Sequence, residues 1–461
     1  MKVTSENVHT ISQRLAKWVE SLRYEDLPME VIERTKLLIL DQLGVQLMGS
    51  TLPNVQPVRR LADSIKAVPE STISQGSVRT NAATAAYVNG TFGHSCEYDD
   101  AHMLAWHSSS AVIPAALALA ERENASGKEL ITAVLTGVQV MCILGTAMGQ
   151  AMQTVGWHGS KVMGVFGAAA AAGKILKLTP FELAHAFGIA ASDAGGTMEY
   201  DQSGGEVKRL HAGSASRSGL EAALLARSGF TGPSTIFEGQ RGIFKNFGGT
   251  EEPQRLEDAW NHWHILDTIF RFFPGVGTVH APLEAVLHLR EENDIDWRGI
   301  KKIRIGLDSF AIGHGASITR PTDAISAQFS LGFGIGLQFI SGQNSPHDYF
   351  DQSRWEDPDI LSIIDLIETY AIQIPEGDPA LSANVEIIMK DGRGYERYQR
   401  GFRGHPVSPA TSKDIQDKFY KNLTRVSSAM RATDILDSVM SIERMDRVHR
   451  LTGLLSSNPN H

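Results

Sequence analysis

Between His94 and His107 the chain places His94, Glu97, Asp99, Asp100, His102 and His107, followed at once by Ser108-Ser109-Ser110. Imidazole titrates near neutral pH and carboxylates below it, so such a stretch can take up and release protons under working conditions. On a helix, His94, Glu97 and Ala101 would share one face by their three and four spacings, while Asp99 and Asp100 point elsewhere. A polar helix end with a capped loop accounts for the same residues without any chemistry. A divalent-metal site is a further reading. It needs paired ligands at set spacings, and neither a His-Glu-x-x-His run nor a calcium loop is present, so no metal is expected.

Two later stretches have the same character. Gly156-Trp157-His158-Gly159-Ser160-Lys161 precedes a Gly/Ala-rich helical run, and a histidine there is held by its glycine-flanked loop while helix N–H groups favour an anion. Lys208-Arg209-Leu210-His211-Ala212-Gly213-Ser214 opens a further Ala-rich helix with two cations and a histidine. Each stretch taken alone reads equally well as a capped loop or a solvated basic turn.

The elements that must position these residues are mostly helices. From Val8 to about Gly229 apolar residues recur at three and four spacings, punctuated by Leu27-Pro28, Gly49-Ser50 and Leu178-Thr179-Pro180, which predicts an all-α bundle. Gly164 to Gly173 and Gly188 to Ala191 are rich in small residues, so helix axes can approach closely there. After about residue 265 the pattern changes. Lys302 to Leu307 and Val385 to Lys390 alternate like strands, and Asp391-Gly392 before Tyr395 to Phe402 predicts a tight hairpin. With helical stretches at Ala281 to Glu292 and Phe329 to Ile340, this section reads as a smaller α+β domain. Helix returns from Ser412, and the Ser/Asn/Pro tail after Leu455 is expected to be disordered.

Bulk properties narrow the function classes. The 461 residues carry 52 acidic against 43 basic side chains, a net −9, which argues against a nucleic-acid or membrane surface but leaves room for a few local cations around a small anion. Cys96 and Cys142 are too few for a disulfide framework, and Met1 to Asn7 has no apolar stretch of the signal-peptide kind, so a cytoplasmic location is expected. The uncharged run Leu130 to Ser160 is broken by Thr136, Gln139, Gln150 and Gln153 and is expected to be a core helix and the loop after it.

Taken together, the motifs resemble the MmgE/PrpD family, whose members include dehydratases, decarboxylases and epimerases of small polycarboxylates. The resemblance runs through Asp41-Gln42-Leu43-Gly44, Asn89-Gly90 to His107, Gly156-Trp157-His158 into Phe166 to Ala170, and Lys208 to Gly213. It continues in Gly229-Phe230-Thr231-Gly232-Pro233 with Glu238-Gly239, Phe273-Pro274 with His280, and Gly404-His405-Pro406 with Lys418-Phe419. It implies a mainly α protein: a large helical domain built from both chain ends (1–265 and 405–461), with a smaller α+β lid domain (266–404) inserted. It also implies a homodimer without metal or organic cofactor.

Carried over by motif, the resemblance assigns catalytic roles to His107, His158, Glu97 and Lys208, and substrate binding to Arg271, His211, Asp100 and Ser108. Glu97 stands where the decarboxylase branch has Asp, Ala101 where it has Thr, Arg271 where it has Lys, and Val276 and Ser317 where it has His and Tyr. Abstracting a proton beside a carboxylate requires a base and cations for the developing charge, which the histidines and Lys208 with Arg271 would supply. The function so implied is a cofactor-independent lyase dehydrating a small hydroxy-polycarboxylic acid, with epimerisation or decarboxylation of a related acid as the alternative. A metal-dependent hydrolase using Asp99, Asp100 and His102, and a non-catalytic helical scaffold, are the readings from other classes.

Overall fold

Local capping sets where the helices begin. Thr10 accepts the Gln13 N–H while the Gln13 side chain accepts the Thr10 N–H, starting α1 (Ile11–Ser21). Pro28 precedes α2 (Met29–Gly49), and Asn81 caps α3 (Ala82–Gly93). There follow α4 (Ser108–Arg122) and the long α5 (Gly127–Thr154), the latter opened by a Ser126/Glu129 capping box. α6 (Gly164–Ile175), α7 (Pro180–Ala190), with its Thr179/Glu182 box, and α8 (Val207–Arg227) complete the first run. The computed structural model describes residues 10–248 and 255–457.

These helices belong to the first of two units, which draws on Met1–Ser95, Asp99–Thr268 and Ser412–His461. α8 lies at its centre, packed on α3, α4, α6 and α7. The small residues make this possible. A Cβ on Gly213 would collide with the Tyr87 carbonyl and the Thr91 hydroxyl of α3, and one on Gly219 with the Val165 carbonyl of α6. α5 is apolar and long enough to cross a membrane by composition, yet 94% of its most apolar window is buried within the protein.

The second unit consists of Cys96–Tyr98 and Ile269–Thr411. Its helices α9 (His280–Asn293) and α10 (Leu331–Ser341) accompany a four-stranded sheet. The strands are β1 (Ile300–Leu307), β2 (Ile367–Ala371), β3 (Ala383–Met389) and β4 (Gly394–Gln399), in the order β2-β1-β3-β4. β1 runs parallel to β2 and antiparallel to β3, and β3 pairs antiparallel with β4. Along β3, Ala383, Val385, Ile387 and Met389 are buried and the residues between them are less so, as the alternation requires.

The chain end returns to the first unit as α11 (Ser412–Leu423) and α12 (Ala429–Met440). α11 packs on α2, where Gly44 leaves room for the Phe419 ring and Lys418 Nζ sits 2.7 Å from Asp41 Oδ1 with both side chains almost fully buried.

Several sequence expectations need correction. His94, Glu97 and Ala101 share no helical face: α3 ends at Gly93, and Glu97 and Trp106 adopt positive φ (51° and 61°). Side-chain hydrogen bonds from Asp99 and Asp100 hold this stretch as a loop in place of helix. The hairpin expected at Asp391-Gly392 does form. Met389 N–H reaches the Arg393 carbonyl around Lys390-Asp391-Gly392, and of these only Gly392 has positive φ, as in a three-residue loop. Where the sequence reading placed a lid at 266–404, the second unit comprises Cys96–Tyr98 and Ile269–Thr411. The Phe270 N–H bonds to the Gly404 carbonyl, the Tyr98 hydroxyl to the Phe272 carbonyl, and Glu97 to Arg271. Of the tail expected to be disordered, Ser456 and Ser457 are anchored on Gly76, and 458–461 lie outside the described residues, as does the N-terminal stretch Met1 to Asn7.

Candidate functional site

The loop between α3 and α4 is organised by two aspartates. Asp100 accepts the backbone N–H groups of Ser108 (3.2 Å) and Ser109 (3.0 Å) and both hydroxyls (2.8 and 2.6 Å), so it satisfies the start of α4. Burial, and then the neighbouring Asp99 charge, push its carboxyl up to about 6. Asp99 accepts from Ser110 Oγ at 2.7 Å and pairs with His94 Nδ1 at 2.8 Å. Gln42, reaching from α2, accepts the hydroxyls of Ser109 and Ser110. This network fixes His107, which donates Nδ1–H to the Asp100 carbonyl at 2.7 Å and lies 3.9 Å from Asp99 Oδ1.

His158 ends the second loop, just before the single turn Gly159–Val162, and its N–H is held by the Gly196 carbonyl. Its Nδ1 meets the Nδ1 of His211 at 3.0 Å, and the Trp106 and Tyr200 rings pack edge-on against it. His211 and Lys208 stand three residues apart on α8 and therefore on one face. Burial first, then the charges of His211, His94, Lys208 and His107, hold His158 far below the usual imidazole range. His211 is pushed down to about 3 by burial, with His94, Lys161 and Lys208 adding to it. The ring centroids of His94 lie 4.8 Å from His107 and 5.8 Å from His158, and His158 lies 5.0 Å from His211. The Lys208 ammonium stands 5.9 Å from the Tyr200 ring.

The first unit therefore assembles His94, His107, His158, His211 and Lys208 around one point, with Asp99, Asp100 and Ser108 behind them. Imidazoles, of which His158 and His211 are held neutral chiefly by burial, beside the Lys208 ammonium can bind an anion and exchange a proton with it. Ser108 and Asp100, expected to bind substrate, hydrogen-bond to each other. His94 and Asp99 stand in the sequence cluster, but their pairing was not foreseen there because it depends on the loop turning back on itself. Tyr200 gave no signal, being an isolated tyrosine in a polar stretch.

The second unit holds Glu97 and Arg271, which pair at 3.1 Å and are both almost completely buried. Arg271 also donates to the Gly275 carbonyl. In the same unit Val276 is buried, while Ser317 is exposed and its hydroxyl bonds to the Gly313 carbonyl.

Among the described residues two groups have metal-ligating chemistry: His94, His107 and His158, and separately His102, His264 and Asp267, each with its ligand atoms within 4.8 Å of one another. His102 already uses both nitrogens, Nδ1 accepting from the Leu104 and Ala105 N–H groups and Nε2 donating to the His264 carbonyl. A cavity of about 550 Å³ elsewhere in the unit is lined by Tyr24, Glu25, Lys128, Glu129, Lys174 and Lys177 among others. Its lysines are engaged by Glu25, Glu129 and the carbonyls of Val19 and Glu20.

The MmgE/PrpD N-terminal domain model matches residues 13–256 and the MmgE/PrpD C-terminal domain model matches residues 273–443. The chain belongs to the MmgE/PrpD family. It is 29% identical to the cis-aconitate decarboxylase-like protein oryM of Aspergillus oryzae, covering 97% of both chains. It is 28% identical to the cis-aconitate decarboxylase of Aspergillus terreus, over 97% of this chain and 96% of the relative, and 27% identical to that of Homo sapiens, over 97% and 94%. In this MmgE/PrpD protein the residues of kept type, His107, His158 and Lys208, fall together in the first unit. Of the positions where the resemblance implies a changed residue type, Ala101 falls in the first unit, and Glu97, Arg271, Val276 and Ser317 fall in the second.

Proposed function

We propose that this protein is a lyase that breaks a bond in a small polycarboxylate by moving a proton at the carbon beside a carboxylate, with no organic cofactor. The observation that carries the reading is the meeting of His107, His158 and Lys208 in one buried cluster. Lys208 is the cation for a substrate carboxylate, and its charge helps keep His158 neutral and able to accept a proton. Loss of carbon dioxide is the first form of the reaction, favoured by relatives of that activity along the whole chain. The carbon–carbon bonding pair passes into an enolate-like anion held by Lys208, and His107 delivers a proton to carbon. Loss of water is the second form, favoured by the departures at Ala101, Arg271, Val276 and Ser317 from the decarboxylase pattern. There His158 takes the carbon-bound proton, the double bond forms, and His107 protonates the departing hydroxyl.

Incubation in heavy water with citrate-like, malate-like and aminodicarboxylate compounds, followed by proton NMR, tests both. Deuterium should enter a carbon next to a carboxylate in at least one compound, and the product then identifies whether carbon dioxide or water left. A folded protein that exchanges no proton and forms no product across the panel would contradict the proposal.

A further inference from the structure

The three histidines that line this cluster each present a ring nitrogen to the others, all within 4.8 Å. Their remaining nitrogens are held from behind. His94 gives Nδ1–H to the Asp99 carboxylate at 2.8 Å, which leaves its lone pair on Nε2. His107 gives Nδ1–H to the Asp100 carbonyl at 2.7 Å, which likewise sets its lone pair on Nε2. At the His158–His211 contact one of the two facing Nδ1 atoms must carry hydrogen, and when it is that of His158 the lone pair again falls on Nε2. His94 and His158 are 0% and 1% exposed, and the Nε2 atom of each has no hydrogen-bond partner among the described residues.

An imidazole anchored through its outer nitrogen by a carboxylate or carbonyl, with the inner one turned toward two others, is the arrangement that orients histidines on a metal ion. Three nitrogen donors and an open fourth position suit borderline ions such as zinc, and do not suit calcium or magnesium, which require oxygen. The Asp99 carboxylate behind His94 offsets part of the ion's charge, and Lys208 opposes it.

We propose that His94, His107 and His158 form a binding site for a divalent transition metal of the zinc class, and that its occupation switches the enzyme off. A metal on these nitrogens occupies the positions through which His158 would accept a proton and His107 would carry one to the substrate, so proton transfer stops while the ion stays. The inhibitory half rests on the function proposed above, and the binding half does not.

Calorimetric titration of chelator-treated protein with zinc sulfate, in a non-coordinating buffer free of polycarboxylates, tests the site. About one equivalent should bind. Cobalt(II) should give the visible absorption of a low-coordinate nitrogen site. His94→Gln, His158→Gln and the less buried His107→Gln should each weaken zinc binding by tenfold or more, with circular dichroism melts confirming that the variants are folded. Asp267→Asn, in the other histidine group, should leave binding unchanged. Absence of binding to the wild-type protein, binding indifferent to all three histidine changes, or loss of binding in Asp267→Asn would each overturn the site. Zinc that binds as described without lowering turnover, or lowers it in a way a chelator does not reverse, would overturn the inhibitory half. A protein that binds zinc in this manner but acts on no polycarboxylate would refute the proposed function and leave the site standing.

Discussion

His158 is surrounded by groups that disfavour its protonated form, whereas His107 has a carboxylate 3.9 Å away and a carbonyl on its Nδ1–H. The two histidines are therefore not equivalent, and their replacements should not behave alike. His107→Gln and His158→Gln should each reduce turnover by about a hundredfold or more, the usual scale for losing a general acid or base. Lys208→Met should also raise KM, because in the proposed reaction the ammonium holds the carboxylate before and during the chemical step. Steady-state kinetics on the three variants checks the division, and near-normal turnover in both histidine variants would remove them from the mechanism. His107, His158 and Lys208 were legible in the sequence because each sits in a short run of characteristic composition. The Asp99–His94 pair was not, since spacing along a supposed helix says nothing about a loop whose Glu97 has positive φ. Nor does spacing reveal that Glu97 and Arg271, distant in the chain, neutralise one another.

At the scale of elements, the break at Leu178-Thr179-Pro180 was readable because a capping box is a local bargain between a side chain and the next turn, and the same box starts α1 at Thr10 and α5 at Ser126. The Gly/Ala-rich runs were readable as sites of close approach, although which helices meet there was not. The parallel strand β2 escaped notice, as five residues of mixed burial give no clean alternation. Two substitutions test the contacts that arrange these elements. Gly213→Ala should destabilise the first unit by about 1–3 kcal/mol, since its methyl group would meet backbone and a hydroxyl of α3 that have little freedom to withdraw. Lys418→Met should cost about 3–5 kcal/mol by leaving Asp41 charged and buried, and adding Asp41→Asn should recover much of that loss. Denaturant unfolding of the single and double variants measures both. Equal destabilisation of Lys418→Met with and without Asp41→Asn would show that the lysine acts through its packing and not its charge.

For the molecule as a whole, the sequence conveyed the order of helix, α+β section and helix. It did not convey that Cys96–Tyr98 would join the second unit, because that depends on contacts between residues more than 150 positions apart. The same burial that builds the site shapes how the whole fold responds to acid. His102 is pushed down to about 4, His211 to about 3, and His158 and His264 are also lowered, in each case chiefly by burial. A histidine whose folded pKa lies below its unfolded value near 6.5 binds its proton preferentially when unfolded, so stability is lost as pH falls through about 6.5. Asp100 works in the opposite sense. Its carboxyl, raised to about 6, binds a proton preferentially when folded, so acidification through that pH relieves a buried charge and adds stability. The lowering of His102, His211, His158 and His264 outweighs the raising of Asp100. The melting temperature should therefore fall as pH is lowered from about 7 to about 5.5. His102→Gln, which removes one of these protonation sites outside the proposed catalytic cluster, should make that fall shallower. Calorimetric scans across this range in buffers of constant ionic strength decide the matter. A melting temperature that stays level or rises on acidification would mean that the buried histidines take up protons in the folded state, and the neutral His158 on which the proposed base depends would go with them.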